Sequence, residues 1–158
     1  MNEELRLVIP AVAPPLNHAY AQRRGNGGRS GGRCKGDKLL AFERLVADYI
    51  AYNRLKWPFK AGQELHATIV FCRPDVRTKK DGSYNTKFGD VDGHIKHTID
   101  AVFRCYKEET NDLRIGSLWV KKLQREKEET YILLQCEDGA YIDNAWSYPL
   151  SMAEVPNV

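Results

Sequence analysis

The stretch "HATIVFC", residues 66–72, constrains the fold more than any other part of the chain. A run of β-branched and aromatic residues, bounded by "AGQ" before and "RP" after, reads as an extended strand. The segments around it then fall into a short order. "LRLVIP" (5–10) is a short strand ended by proline, and "AVAPPLNHAYAQRR" is extended and then turns, because consecutive prolines forbid a helix. From Asp37 to about Lys56, Phe42, Leu45, Val46, Tyr49 and Ile50 recur at helical steps, with Asp37 as N-cap and Pro58 closing the helix. A second helix runs from about Asp92 to Lys107 on Ile95, Ile99, Val102, Phe103 and Tyr106. "RIGSLWVKKLQ" (114–124) alternates like a strand, "REKEE" reads as a hairpin turn, and "TYILLQC" (130–136) as the partner strand. The order β–α–β–α–β–β predicts an α+β fold, a small mixed sheet with two main helices packed on it. All 158 residues form one domain, with a flexible Gly/Arg-rich loop at 23–36 and an irregular tail from about 137.

Charge adds a functional direction. The net charge is only +3, but it is unevenly placed. Arg23 to Lys38 carries six basic residues against Asp37, and Arg73 to Lys87 carries five against Asp75 and Asp81. The rest of the chain therefore sums to −5. Positive charge gathered in two loop-like stretches points to a polyanion, nucleic acid before membrane, although solvated loops look alike one at a time. No apolar run spans a bilayer and "MNEELRLVIP" lacks the regions of a signal peptide, so a cytoplasmic location is expected. Cys34, Cys72, Cys105 and Cys136 form no CxxC pair; they are expected to be reduced, with no zinc site.

The sharpest local feature is "GDVDGHIKHTID" (89–100). Asp90 and Asp92 lie one residue apart at a helix start, where carboxylates also simply complement the helix dipole. Lys96 follows one turn after Asp92, and Asp100 one turn later can pair with it and fix its rotamer. Asp112 lies beyond the helix, and a straight helix of about four turns separates it from the pair by roughly 20–25 Å. Either the chain folds back or a second subunit supplies Asp112. Clustered carboxylates suit Mg²⁺, which takes hard oxygen ligands and serves phosphodiester hydrolysis. Lys96 suits charge stabilisation at the scissile phosphate. His94 and His97, at i and i+3, are expected to be solvated rather than metal ligands.

The pattern "GDVDGHIKHTIDAVF…NDLRIGSLWVKK" resembles the signature of the RusA family of Holliday-junction resolvases, roughly Asp-x-Asp-Asn-x-x-Lys-x-x-x-Asp followed downstream by Asp-x-x-Ile/Val. "PPLNHAY" looks like the family's entry segment, with Asn17 and Tyr20 matching, and the resemblance spans most of 5–136. It implies a homodimeric, Mg²⁺-dependent endonuclease (Mn²⁺ a substitute) that nicks four-way DNA junctions symmetrically in recombination and repair. Asp90, Asp92 and Asp112 then hold the metal, Lys96 is the catalytic lysine, and Asp100 stands behind it. Arg23, Arg24, Arg29, Arg33, Lys79, Lys80, Lys121 and Lys122 are the expected contacts to the DNA backbone. Gly93 departs from the family, which usually has Asn there. Two alternatives follow: a junction-binding protein of the same fold that has lost activity, and an RNA-binding module using the Arg/Gly segment.

Overall fold

Leu65–Arg73 is buried along nearly its whole length, on both faces. A strand like this needs a neighbour on each edge, and the fold is arranged to supply them. A computed structural model of the chain describes residues 3–22, 33–77, 80–85, 91–106 and 114–136. Its strands are β1 (Glu4–Ile9), β2 (Tyr20–Gln22), β3 (Arg33–Lys35), β4 (Leu65–Arg73), β5 (Ile115–Gln124) and β6 (Glu129–Cys136). Its helices are α1 (Asp37–Tyr52) and α2 (Val91–Arg104). The architecture is α+β: a mixed sheet in the order β1-β6-β4-β5 with two helices packed on it, plus the small β2–β3 ladder. β4 and β5 are parallel, with α2 as the crossover between them, and β6 runs antiparallel to both β4 and β1.

The expected β5–β6 hairpin is therefore corrected. The two strands are consecutive in sequence, yet β4 lies between them. Residues 125–128 step over the end of β4, where the Arg125 amide donates to the Arg73 carbonyl at 3.1 Å. The physical reason is burial: β5 is only partly covered and tolerates an edge, whereas β4 does not.

Three helix and loop boundaries also differ from expectation. Gly36, not Asp37, caps α1, and Asp37 is its first residue. The helix stops at Tyr52, well before Pro58, because the chain closes it with its own backbone. Leu55 N–H donates to Ile50 O at 3.0 Å and Arg54 N–H to Ala51 O at 3.1 Å, with Arg54 in the left-handed region at φ 51°. That is a Schellman closure, with Leu55 packed on the core as its apolar partner. The third change is that Arg33–Lys35, expected within a loop, pairs with Tyr20–Gln22 as β3.

The core lies between the helices and one face of the sheet. Leu5, Leu7 and Ile9 of β1, Ile132 and Leu134 of β6, and Leu65 and Ala67 of β4 meet Phe42, Val46 and Ile50 of α1 and Ala101, Val102 and Phe103 of α2. Further along β4, Ile69 and Phe71 meet Ile95 and Ile99 of α2. Contrary to expectation, His94 and His97 are not solvated; they are 1% and 2% exposed. The inward face of α2 is broader than its aliphatic positions, because α1 and the N-terminal segment cover it as well as the sheet. All four cysteines are free. Among the described residues no helix is long and apolar enough to cross a membrane.

The opposite face of β4 holds His66, buried and hydrogen-bonded with the Ser117 and Thr68 hydroxyls at 2.6 and 3.1 Å. Burial lowers its pKa from 6.5 to about 4. Between these values the unfolded chain binds a proton that the folded chain refuses. Stability is therefore complete above about pH 6.5 and falls on acidification, by roughly 3 kcal/mol by about pH 4. Urea unfolding across this window, compared between wild type and His66→Gln, isolates the effect; the variant is expected to lose that part of the slope.

Candidate active site at the start of α2

Asp92 stands exposed in the first turn of α2, where its charge complements the helix dipole. Its Oδ1 accepts a hydrogen bond from the Gly93 amide at 2.9 Å. Lys96 lies one turn on, and its Nζ is 3.5 Å from Asp100 Oδ2. The expected pairing of Lys96 with Asp100 is thus present. With Lys96 more than half exposed, the pair contributes only about 0.3–0.5 kcal/mol. Its consequence is orientation: the ammonium is held on the same side of the helix as Asp92.

The N-terminal segment is fastened to this helix start. His94 donates from Nδ1 to the Ala13 carbonyl, which can only accept, so the proton sits on Nδ1. Its ring packs 5.5 Å from Phe71. The Tyr20 ring lies 5.6 Å from that of His97. Pro15 and Leu16 rest directly on Gly93: a Cβ there would sit 3.5 Å from Pro15 Cβ and from the Leu16 amide, ordinary contact distances. "PPLNHAY" and "VDGHIKH", some seventy-five residues apart in sequence, thus meet. Asn17 belongs to this segment, but its side chain lies outside the described set.

A charged cluster next to it escaped the sequence reading. Glu43 of α1 accepts from Lys35 Nζ at 2.7 and 2.8 Å and from Arg104 Nη1, tying β3 and α2 to α1. Burial pushes the Glu43 carboxyl up; the neighbouring His97 opposes that and Asp100 adds to it. Burial also lowers the His97 pKa, and its Nε2 is buried without a hydrogen-bond partner among the described residues. No spacing rule links Lys35, Glu43 and Arg104, which come from three elements.

The remaining candidates are not all brought together. Asp90, Asp112, Arg23, Arg24, Arg29 and Lys79 lie outside the described residues, as does the side chain of Arg33. Lys80 is exposed in a turn. Lys121 and Lys122 are adjacent on β5 and so point to opposite faces, with Lys122 Nζ 5.9 Å from the Tyr84 ring centre. They do not form one contact patch.

Arg114 is the first described residue after Asp112. It donates from Nε to Gln63 O at 2.9 Å and from Nη2 to Lys60 O at 2.5 Å, and lies 6.0 Å from the Trp57 ring centre. Trp57 in turn packs on Phe103 and Tyr106 at 5.2 and 5.0 Å. Arg114 is therefore held at the C-terminal end of α2, a helix-length of about 20 Å from Asp92.

Among the described residues no three His, Cys, Asp or Glu side chains are grouped to hold a metal ion. No protein-family model matches the chain, and comparison with curated proteins finds no match.

Proposed function

We propose that the chain is a Mg²⁺-dependent, structure-selective DNA endonuclease of RusA type that resolves four-way junctions by paired symmetric nicks. The observation that carries this reading is the convergence of "PPLNHAY" with the start of α2, leaving Asp92 and Lys96 exposed side by side on the same helix. The donor chemistry fits a hard cation, because Asp92 keeps carboxylate oxygen free for one while Gly93 N–H fixes its orientation. Asp90, Asp92 and Asp112 would hold Mg²⁺, or Mn²⁺ in its place. When bound, the metal would polarise the phosphate and lower the pKa of attacking water. Lys96, oriented by Asp100, neutralises charge that builds on the phosphate. Arg23, Arg24, Arg29, Arg33, Lys79, Lys80 and one of Lys121 and Lys122, which face opposite sides of β5, supply backbone contacts, so affinity falls steeply with salt.

Two copies of the chain complete the site in this reading. α2 is about 20 Å long, so a third carboxylate that follows it in sequence reaches Asp92 only if the chain folds back or a partner copy supplies it. A twofold dimer in which the partner brings its third carboxylate removes that separation and matches a twofold junction.

The test is direct: labelled four-way junction and linear duplex are incubated with the chain and Mg²⁺. Paired nicks on the junction alone support the enzyme. Tight junction binding without cleavage replaces it by the second reading, an inactive branched-DNA-binding protein, which Gly93 favours. Gly93→Asn separates the two further. The backbone there accepts a Cβ, and Asn is a few tenths of a kcal/mol better than Gly in a helix. The variant is expected to cut about fivefold faster, the worth of one hydrogen bond of about 1 kcal/mol, with melting measured alongside because position 93 is buried.

A further inference from the structure

A cleft of about 500 Å³ opens between the N-terminal segment and α1, within the ~300–1,000 Å³ range of ligand sites. Its floor is apolar: Phe42 is buried, but Leu45 is 37% exposed, so a greasy surface faces solvent beside Pro15. Its rim carries Lys38 and His18, both exposed, and Lys38 makes no ion pair among the described residues. One wall is Glu128, positioned by the four-residue step over β4. Its Oε1 accepts from the Val12 amide at 3.1 Å, and its Oε2 lies 3.9 Å from Arg73 Nε. His94, two residues on from Asp92, also lines the cleft. The site thus offers a flat apolar platform, a cation at one side and an oriented carboxylate at the other.

We infer that this cleft receives a single unpaired nucleotide of a DNA strand. The base lies on Leu45 and Pro15, its phosphate meets Lys38, and an N–H on the base edge donates to Glu128. Each part answers one feature of the ligand: apolar platforms take π-faces of any base, and an isolated lysine suits phosphate as a point charge. An apolar metabolite would leave Lys38 and His18 unanswered. The location favours nucleic acid as well. The cleft runs from Lys38, in the first turn of α1, to His94 in the helix that bears Asp92. Extruding a base costs least where it is already unpaired, as at a branch point, so such a cleft selects branched over continuous duplex. The choice of DNA as ligand rests on the endonuclease reading; the nucleotide chemistry of the cleft does not.

Titration of the ¹⁵N-labelled chain with dAMP, deoxyadenosine and inorganic phosphate, followed by amide shifts, tests this. Saturable dAMP shifts at Val12, Phe42, Leu45 and His94, with a Kd on the order of 1 mM or tighter, are expected. Leu45→Glu is expected to weaken dAMP at least tenfold and Lys38→Glu about fivefold; Lys38 faces solvent, Leu45 is partly covered, and thermal melting confirms that each variant is folded. Phosphate alone reproducing the shifts at equal affinity overturns the inference, as does dAMP binding that neither variant weakens, or no dAMP binding. Junction cleavage by the unmutated chain is measured alongside. Cleavage without dAMP binding overturns the cleft and spares the endonuclease; dAMP binding without cleavage supports the cleft and removes the endonuclease.

Discussion

Asp92→Asn is expected to lower Mg²⁺-dependent nicking of a four-way junction by about 10³-fold or more, which is roughly 4 kcal/mol of transition-state stabilisation. The same substitution is expected to lower stability by no more than about 1 kcal/mol, because Asp92 is exposed and loses only its charge at the helix start. The Asn side-chain oxygen keeps the bond to the Gly93 amide, so the local geometry survives while the negative charge is lost. Gel assays of cleavage, thermal melting and junction binding without metal, run on the same preparation, read these three quantities. A variant that still cuts at more than a tenth of the wild-type rate would remove Asp92 from the metal site.

Mixing two inactive variants gives the second large effect. Asp92→Asn and Asp112→Asn are each expected to be inactive as homodimers. If the third carboxylate acts across the dimer, a mixed dimer carries both changes in one site and none in the other. About half of the dimers are mixed at equilibrium, so nicking of single strands recovers to roughly a quarter of wild type. Paired nicks do not recover, since each mixed dimer has one working site. Should both carboxylates belong to the same chain, every site in the mixture lacks one of them and no activity returns. The dimeric reading of the site expects recovery.

How far the sequence could lead is clearest element by element. The two helices were legible because their apolar residues keep a period, and β4 because β-branched and aromatic residues run through it unbroken. The neighbour of β4 was not, because a four-residue link reads as a hairpin whether or not another strand intervenes. What placed β4 in the centre was its burial on both faces, which a run of apolar residues hints at without saying which strands will flank it. Histidines 94 and 97 were misjudged for a related reason: a polar residue becomes buried when several elements crowd one helix, and Ala13 and Tyr20 lie far away in sequence. The Lys96–Asp100 pair was legible because i and i+4 meet on any helix. Glu43 was not, since its partners come from β3 and α2.

The position of β6 between β1 and β4 also sets a sequence of events during synthesis. Within the sheet β1 touches only β6, and Leu5 waits for Leu134 as its partner. A nascent chain that has not reached residue 129 therefore carries β1 with no strand beside it and β4 with one open edge. Such edges invite pairing with other chains. Folding of this sheet is accordingly a late, long-range step, slow in the way that non-local topologies are. Truncation before 129 is expected to yield an aggregating chain rather than a smaller domain.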